Sequence, residues 1–308
     1  GAGTGAVFGP FDQTIPHEPG DGFIDGWDSG VKLTNAAVEA RFFNPYPTSE
    51  GNWDAALLFR KGETNQFHAV VITSGRMWYH YVRGDRARSG TQVQSQASDA
   101  IDVTVAGSNH LRVVALDDVG WLFINGAFGG TLDLSGWTEA GSVAAATGYF
   151  AGHTISGEST RFEDFTIALI NQRYGPVDGT MVHDPDSGTI RTHSAEVDLT
   201  NSIVQIRFFN PYPLSEAPWS YGLFLRRPSV NTFHAVALTS SETWSHHVRQ
   251  GTLDSELVLV EVLTTAISSV EGSSAHVTMI AIGSEGWLFI NGQFMERLDL
   301  SAVSGSGN

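Results

Sequence analysis

Cysteine is absent from all 308 residues. No disulfide scaffold, thiolate metal site or cysteine nucleophile is therefore available. Lysine is nearly absent, with Lys32 and Lys61 alone, and 33 acidic residues against 17 Lys and Arg leave a formal net charge of −16. A surface of that sign repels phosphates, so neither nucleic acid nor an anionic membrane is an expected partner. No apolar run reaches the ~20 residues that span a bilayer, so no membrane insertion is expected. The start, Gly1-Ala2-Gly3-Thr4-Gly5-Ala6, carries no signal-peptide pattern and fits a terminus left by processing. Long amphipathic helical periodicity is missing. So are His-Glu-x-x-His, the Gly-x-Ser-x-Gly elbow and Gly-x-x-x-x-Gly-Lys, which leaves metalloprotease, serine hydrolase and nucleotide readings without their motifs.

What is present is a repeat. Gly120-Trp121-Leu122-Phe123-Ile124-Asn125-Gly126 returns as Gly286 to Gly292, a shift of 286 − 120 = 166 residues. Arg41-Phe42-Phe43-Asn44-Pro45-Tyr46-Pro47 returns as Arg207 to Pro213, and Phe67-His68-Ala69-Val70 as Phe233 to Val236, at the same shift. The chain reads as a tandem duplication, with modules over 8–171 and 172–308. Short strands are expected at 38–43, 55–60, 67–73, 77–83, 101–105, 111–116, 121–124, a return strand led by Ala127-Phe128, 143–150 and 160–170. Asn125-Gly126 is a strong hairpin signal, because a type I′ turn needs positive φ at both central residues. Many short strands with 34 glycines and regular turns argue for an all-β chain of two antiparallel β-sandwiches. Asn308 corresponds to Ser142, so the second module lacks a counterpart of 143–170, its last strands. The expectation is that the polypeptide continues or that another chain supplies them.

At Trp121-Leu122-Phe123-Ile124-Asn125-Gly126, with Leu132-Asp133-Leu134-Ser135 after it, each module resembles the concanavalin A-like lectin/glucanase superfamily, and within it laminin-G-like and bacterial sugar-associated jelly rolls. The resemblance implies two curved sheets and a concave face that many relatives use for glycans. It also implies an extracellular or cell-surface setting.

Trp78, His80 and Val82 alternate, so they share one strand face. The second copy keeps them as Trp244, His246 and Val248, while Tyr79 and Tyr81 become Ser245 and His247. One reading stacks a sugar ring on Trp78 and Trp244 beside His80 and His246, with Trp53 and Trp219 as further candidates. The other reading makes all six core residues, since positions kept between divergent copies are first those the fold needs, and it is favoured. Arg60 and Arg226 end apolar strands and are candidates for gripping an acidic sugar or pairing with an acid. Glycosidases use two carboxylates flanking one bond. The nearest acids, Glu158, Glu163 and Asp164, have the wrong spacing for that. His246-His247 cannot chelate one ion from opposite faces. Asp184, Asp186 and Ser187 form an oxygen-rich loop, with a looser version at Glu18 and Asp21. It is a weak calcium candidate, without the dense ligand ladder calcium prefers; otherwise no cofactor or metal site is expected.

The expected function is a non-catalytic, extracellular structural or adhesive repeat, not an enzyme, with copies of itself or further modules as partners and strand complementation into a filament. A carbohydrate-binding module with glycan partners is the alternative, and a glycan hydrolase ranks third.

Overall fold

The computed structural model describes residues 6–19, 24–64, 66–83, 90–170, 174–181, 192–194, 197, 199–252 and 255–305. The chain divides into two compact units, over 5–172 and 173–308. Among the described residues all regular structure is β.

The first unit contains β1 (Val7–Pro16), β2 (Asp25–Leu33), β3 (Ala36–Phe43), β4 (Asp54–Lys61), β5 (Phe67–Thr73), β6 (Met77–Arg83), β7 (Thr91–Ala97), β8 (Ser108–Leu116), β9 (Val119–Ile124), β10 (Ala127–Asp133), β11 (Gly141–Thr147) and β12 (Ser159–Leu169). They form two six-stranded antiparallel sheets. One has the order β1-β12-β3-β8-β9-β10; the other, called the front sheet below, runs β2-β11-β4-β5-β6-β7. Inward side chains such as Val38, Phe42, Leu57, Ile72, Trp78, Leu122 and Phe165 interlock in one core between the sheets.

The second unit contains β13 (Ser202–Phe209), β14 (Ser220–Ser229), β15 (Thr232–Thr239), β16 (Thr243–Gln250), β17 (Leu257–Leu263), β18 (Ser274–Ile282), β19 (Glu285–Ile290) and β20 (Gln293–Asp299). Its sheets are β13-β18-β19-β20 and β14-β15-β16-β17. β13 starts 166 residues beyond β3, and β20 starts 166 beyond β10. Among the described residues this unit has no counterparts of β1, β2, β11 and β12, so β13 and β14 lie at sheet edges.

The repeated motifs are structural fasteners. Asn125 and Gly126 have φ of 51° and 80°, and Asn291 and Gly292 have 51° and 78°, as a type I′ turn requires. The Asn125 side chain then accepts from the His110 N–H (2.8 Å) and donates to the Ala100 carbonyl (2.7 Å). Asn291 does the same with His276 and Ala266, both at 2.8 Å. Asn44 donates to the carbonyls of Asp102 and Thr104, and Asn210 to those of Ser268 and Val270.

Two expectations fail locally. Ile101 to Val105 is a bend, not a strand: Ile101 plugs the core, while the Asp102 side chain accepts from the Thr104 N–H and Asn44 occupies the carbonyls. Three strands, β1, β2 and β7, were not expected. β7 reads Thr-Gln-Val-Gln-Ser-Gln-Ala and lies at a sheet edge with nearly every residue exposed, so no hydrophobic alternation announces it.

Candidate functional site

Trp78, His80 and Val82 do share a face of β6, but that face looks into the sandwich. Trp78 and His80 are 0% exposed, Trp53 is 1%, Trp244 and His246 are 1%, and Trp219 is 4%. A sugar ring needs an open aromatic face, and none of the six offers one. Packing explains it: the Trp78 ring lies so close over Gly130 that a Cβ there would sit 2.8 Å from it. Trp219 does border a surface depression with Leu214, Pro218 and Thr239, but its indole N–H is buried and takes no hydrogen-bond partner among the described residues.

The histidines on this face form buried pairs. His68 Nδ1 lies 3.0 Å from His80 Nε2, and His234 Nδ1 lies 3.1 Å from His246 Nε2. His68 Nε2 faces the Trp137 carbonyl at 2.9 Å, so it carries the proton and its Nδ1 accepts from His80. Desolvation pushes His68 down to about 4, and desolvation with the neighbouring His68 pushes His80 to about 3. His246 falls to about 4 for the same reasons. These are neutral core hydrogen bonds.

The two strand-ending arginines are also interior. Arg60 is 0% exposed, and its guanidinium donates to the carbonyls of Thr34, Leu134, Trp137 and Asp117. Arg226 repeats this with Thr200, Leu300, Val303 and Gly283. Neither grips a ligand; each ties loops to its strand. Glu163 pairs with Arg161, and Asp164 lies 3.7 Å from Arg41, all on or beside β12 and off the front sheet. Asp184, Asp186, Ser187 and Asp21 lie outside the described residues. Among the described residues no cluster of His, Asp and Glu suits a metal ion.

The outward face of the front sheet carries the functional candidates. Cross-strand pairing lays down two rows. One runs Ala146, Ala56, Val71, Tyr79, and the other Ala144, Leu58, Ala69, Tyr81, Gln92. Small residues make a low floor, and the tyrosines stand above it at one side. Tyr149 and Phe150 lean over the floor from the segment after β11. Ring centroids are 4.8 Å apart for Tyr81 and Tyr149, 5.0 Å for Tyr79 and Phe150, and 6.0 Å for Tyr79 and Tyr81. All four are partly buried. The Tyr81 hydroxyl donates to Gln92 Oε1 at 3.1 Å. Burial raises the pKa of Tyr81 and Tyr149, so both hydroxyls stay protonated donors.

Asp54 holds this arrangement in place. It is 0% exposed, and its two oxygens accept from the backbone N–H groups of Tyr149 and Phe150, each at 3.0 Å. His153 Nδ1 approaches the same carboxylate at 3.2 Å, off the line of a straight hydrogen bond. The second unit has Ser220 in place of Asp54.

There the equivalent outward face is polar. Ser245 Oγ lies 2.7 Å from His247 Nε2, Glu256 Oε1 lies 3.0 Å from His247 Nδ1, and Arg249 pairs with the other Glu256 oxygen while its guanidinium lies over Phe233 at 4.9 Å. In sequence, Tyr79/Ser245 and Tyr81/His247 stand out only as the face that changes between the copies. The change itself was the signal.

No protein-family model and no curated protein matches the chain. Among solved structures it is similar to the carbohydrate-binding module CBM66 from Bacillus subtilis: 10% identity, 54% of this chain, 96% of that one, TM-score 0.40. It is also similar to the Bacillus licheniformis beta-glucanase, at 8% identity over 48% of this chain and 72% of that one, TM-score 0.37. Sheep galectin-11 is a third, at 13% identity, 44% and 96% coverage and TM-score 0.32. At this identity the likeness concerns the fold.

These findings correct the expected function. The similar structures are mostly glycoside hydrolases, with a carbohydrate-binding module among them. The outward faces also carry ordered aromatic and polar clusters, where the repeat reading assumed no evident site. The reading of a non-catalytic structural or adhesive repeat is withdrawn, and so is the exclusion of an enzyme. In fold, the chain is all-β and built of antiparallel β-sandwiches.

Proposed function

We propose that the protein binds carbohydrate through the outward face of the front sheet, with Tyr79, Tyr81, Tyr149 and Phe150 as the platform. One observation carries this reading: four partly buried aromatic rings cluster over a floor of alanines on the outward face, with phenol hydroxyls and the Gln92 amide at the rim. Sugar rings present flat C–H faces edged by hydroxyls. Aromatic faces take the first, and fixed donors and acceptors take the second. The acidic chain makes neutral glycans better ligands than sulfated or phosphorylated ones. A glycan-binding role accords with an extracellular or cell-surface location.

The test is a neutral-glycan array probed with the intact chain, followed by titration of the best hit into wild type and Tyr81→Ala. Binding that weakens about tenfold in the variant, the worth of one aromatic stacking contact, supports the site. Undiminished binding by Tyr79→Ala, Tyr81→Ala and Tyr149→Ala alike removes it.

A further inference from the structure

We propose that Ser245 is a histidine-activated nucleophile, and that the outward face of β16 hydrolyses small activated esters. This goes beyond glycan binding and does not depend on it. The order of groups is nucleophile, base, orienter: Ser245 Oγ to His247 Nε2 at 2.7 Å, then His247 Nδ1 to Glu256 Oε1 at 3.0 Å. Strand alternation creates the first pair, because Ser245 and His247 are two apart on β16. The turn into β17 brings Glu256 up behind the ring, and Arg249 holds its second oxygen. The Glu256 oxygen lies off the line of the ring N–H. Such bonds commonly straighten only when substrate is bound.

Comparison of the units separates this relay from the fold's own needs. The first unit has Tyr79, Tyr81 and Gly90 at the corresponding positions and folds the same strands. A serine and histidine that merely filled space would need no carboxylate placed behind the ring. Ser245 is 7% exposed beneath His247, so a small acyl group fits the approach better than a bulky one.

The chemistry balances with water as the sole co-reactant. Ser245 Oγ bonds to the acyl carbon as its proton passes to His247 Nε2. The C–O bond to the leaving alcohol then breaks, and the alkoxide takes the Nε2 proton. Water attacks the acyl-serine with Nε2 as base, the acid departs, and Ser245 recovers its proton. Glu256 stabilises the imidazolium in both halves. β16 is paired on both sides, to β15 and β17, so its ladder N–H groups are committed to the sheet. Lacking such donors costs about 10²–10³ in rate. The expected substrates are therefore esters with good leaving groups.

The experiment treats the intact chain with a fluorophosphonate probe and maps modified peptides, with p-nitrophenyl acetate turnover as a second readout. The expected result is label on Ser245, absent in Ser245→Ala and reduced at least tenfold in His247→Gln, with turnover falling in step. Glu256→Gln, in the turn rather than in β16, gives a smaller loss and keeps the test open if a β16 variant misfolds. Labelling of Ser245 no greater than that of nearby Ser240 and Ser241 overturns the proposal. So does labelling unchanged in both His247→Gln and Glu256→Gln.

Discussion

The two units agree on the inside and differ on the outside. Inward, Trp78/Trp244, His68/His234, His80/His246 and Arg60/Arg226 keep identity and burial, and both histidine pairs persist, although His68 Nε2 donates to the Trp137 carbonyl while His234 Nε2 accepts from the Val303 N–H. Outward, Tyr79, Tyr81 and Gly90 give way to Ser245, His247 and Glu256. A duplicated fold constrains its core twice in the same way, while each outer face is free to take its own chemistry. Sameness between copies therefore points to folding, and difference points to function.

The comparison breaks most readily at the buried arginines. Arg60→Ala strands four carbonyl acceptors inside the first unit and is expected to cost about 3–5 kcal/mol, with Arg226→Ala costing a similar amount in the second. Denaturant melts that read each unit check this, and a marked inequality would show that the two cores are not equivalent. Acid comes next. His68, His80 and His246 titrate near 6.5 unfolded and at about 3–4 folded, so the unfolded state binds protons first as pH drops. Their stabilisation is complete above pH 6.5 and declines as pH falls toward 4, by about 1.4 kcal/mol per pH unit for each histidine. A melting temperature flat between pH 7 and 4.5 contradicts that.

Asp54→Ala should separate the units further. It frees the Tyr149 and Phe150 N–H groups, with an expected loss of about 1–3 kcal/mol and of glycan affinity together. Ser220→Ala, at the matching place, should stay within about 0.5 kcal/mol in the same melts. The smallest effect is His247→Ala on glycan affinity, which titration should find unchanged while Tyr81→Ala loses about tenfold.

Much of the fold was legible. The Asn-Gly hairpins, the 166-residue shift and most strands follow from turn chemistry and alternation. β7 was not, because an edge strand with both faces wet leaves no apolar period, and in β1 the bulges between Phe8, Phe11 and Gln13 break the alternation. The site was legible only in part. Alternation grouped Trp78 with His80 correctly, yet it cannot say which face of a strand looks inward. Large aromatics fit both a core and a sugar platform, and here Trp78 went inside while Tyr79 and Tyr81 stayed out. Phe150 joins its cluster from the segment just after β11 and Glu256 from the turn just before β17, which no local pattern foretells. Arg60 reads in sequence as an ionic residue, and only three dimensions reveal its carbonyl partners.

The account's central claim is that glycan meets the tyrosine face and not the tryptophan face. Residue-resolved hydroxyl-radical footprinting, with and without the best array hit, tests it most directly. The account predicts that Tyr79, Tyr81 and Tyr149 react in the free chain and are protected by the glycan, while Trp78 and Trp244 stay unreactive throughout. Protection of Trp78 or Trp244, or tyrosines indifferent to a bound glycan, would contradict it.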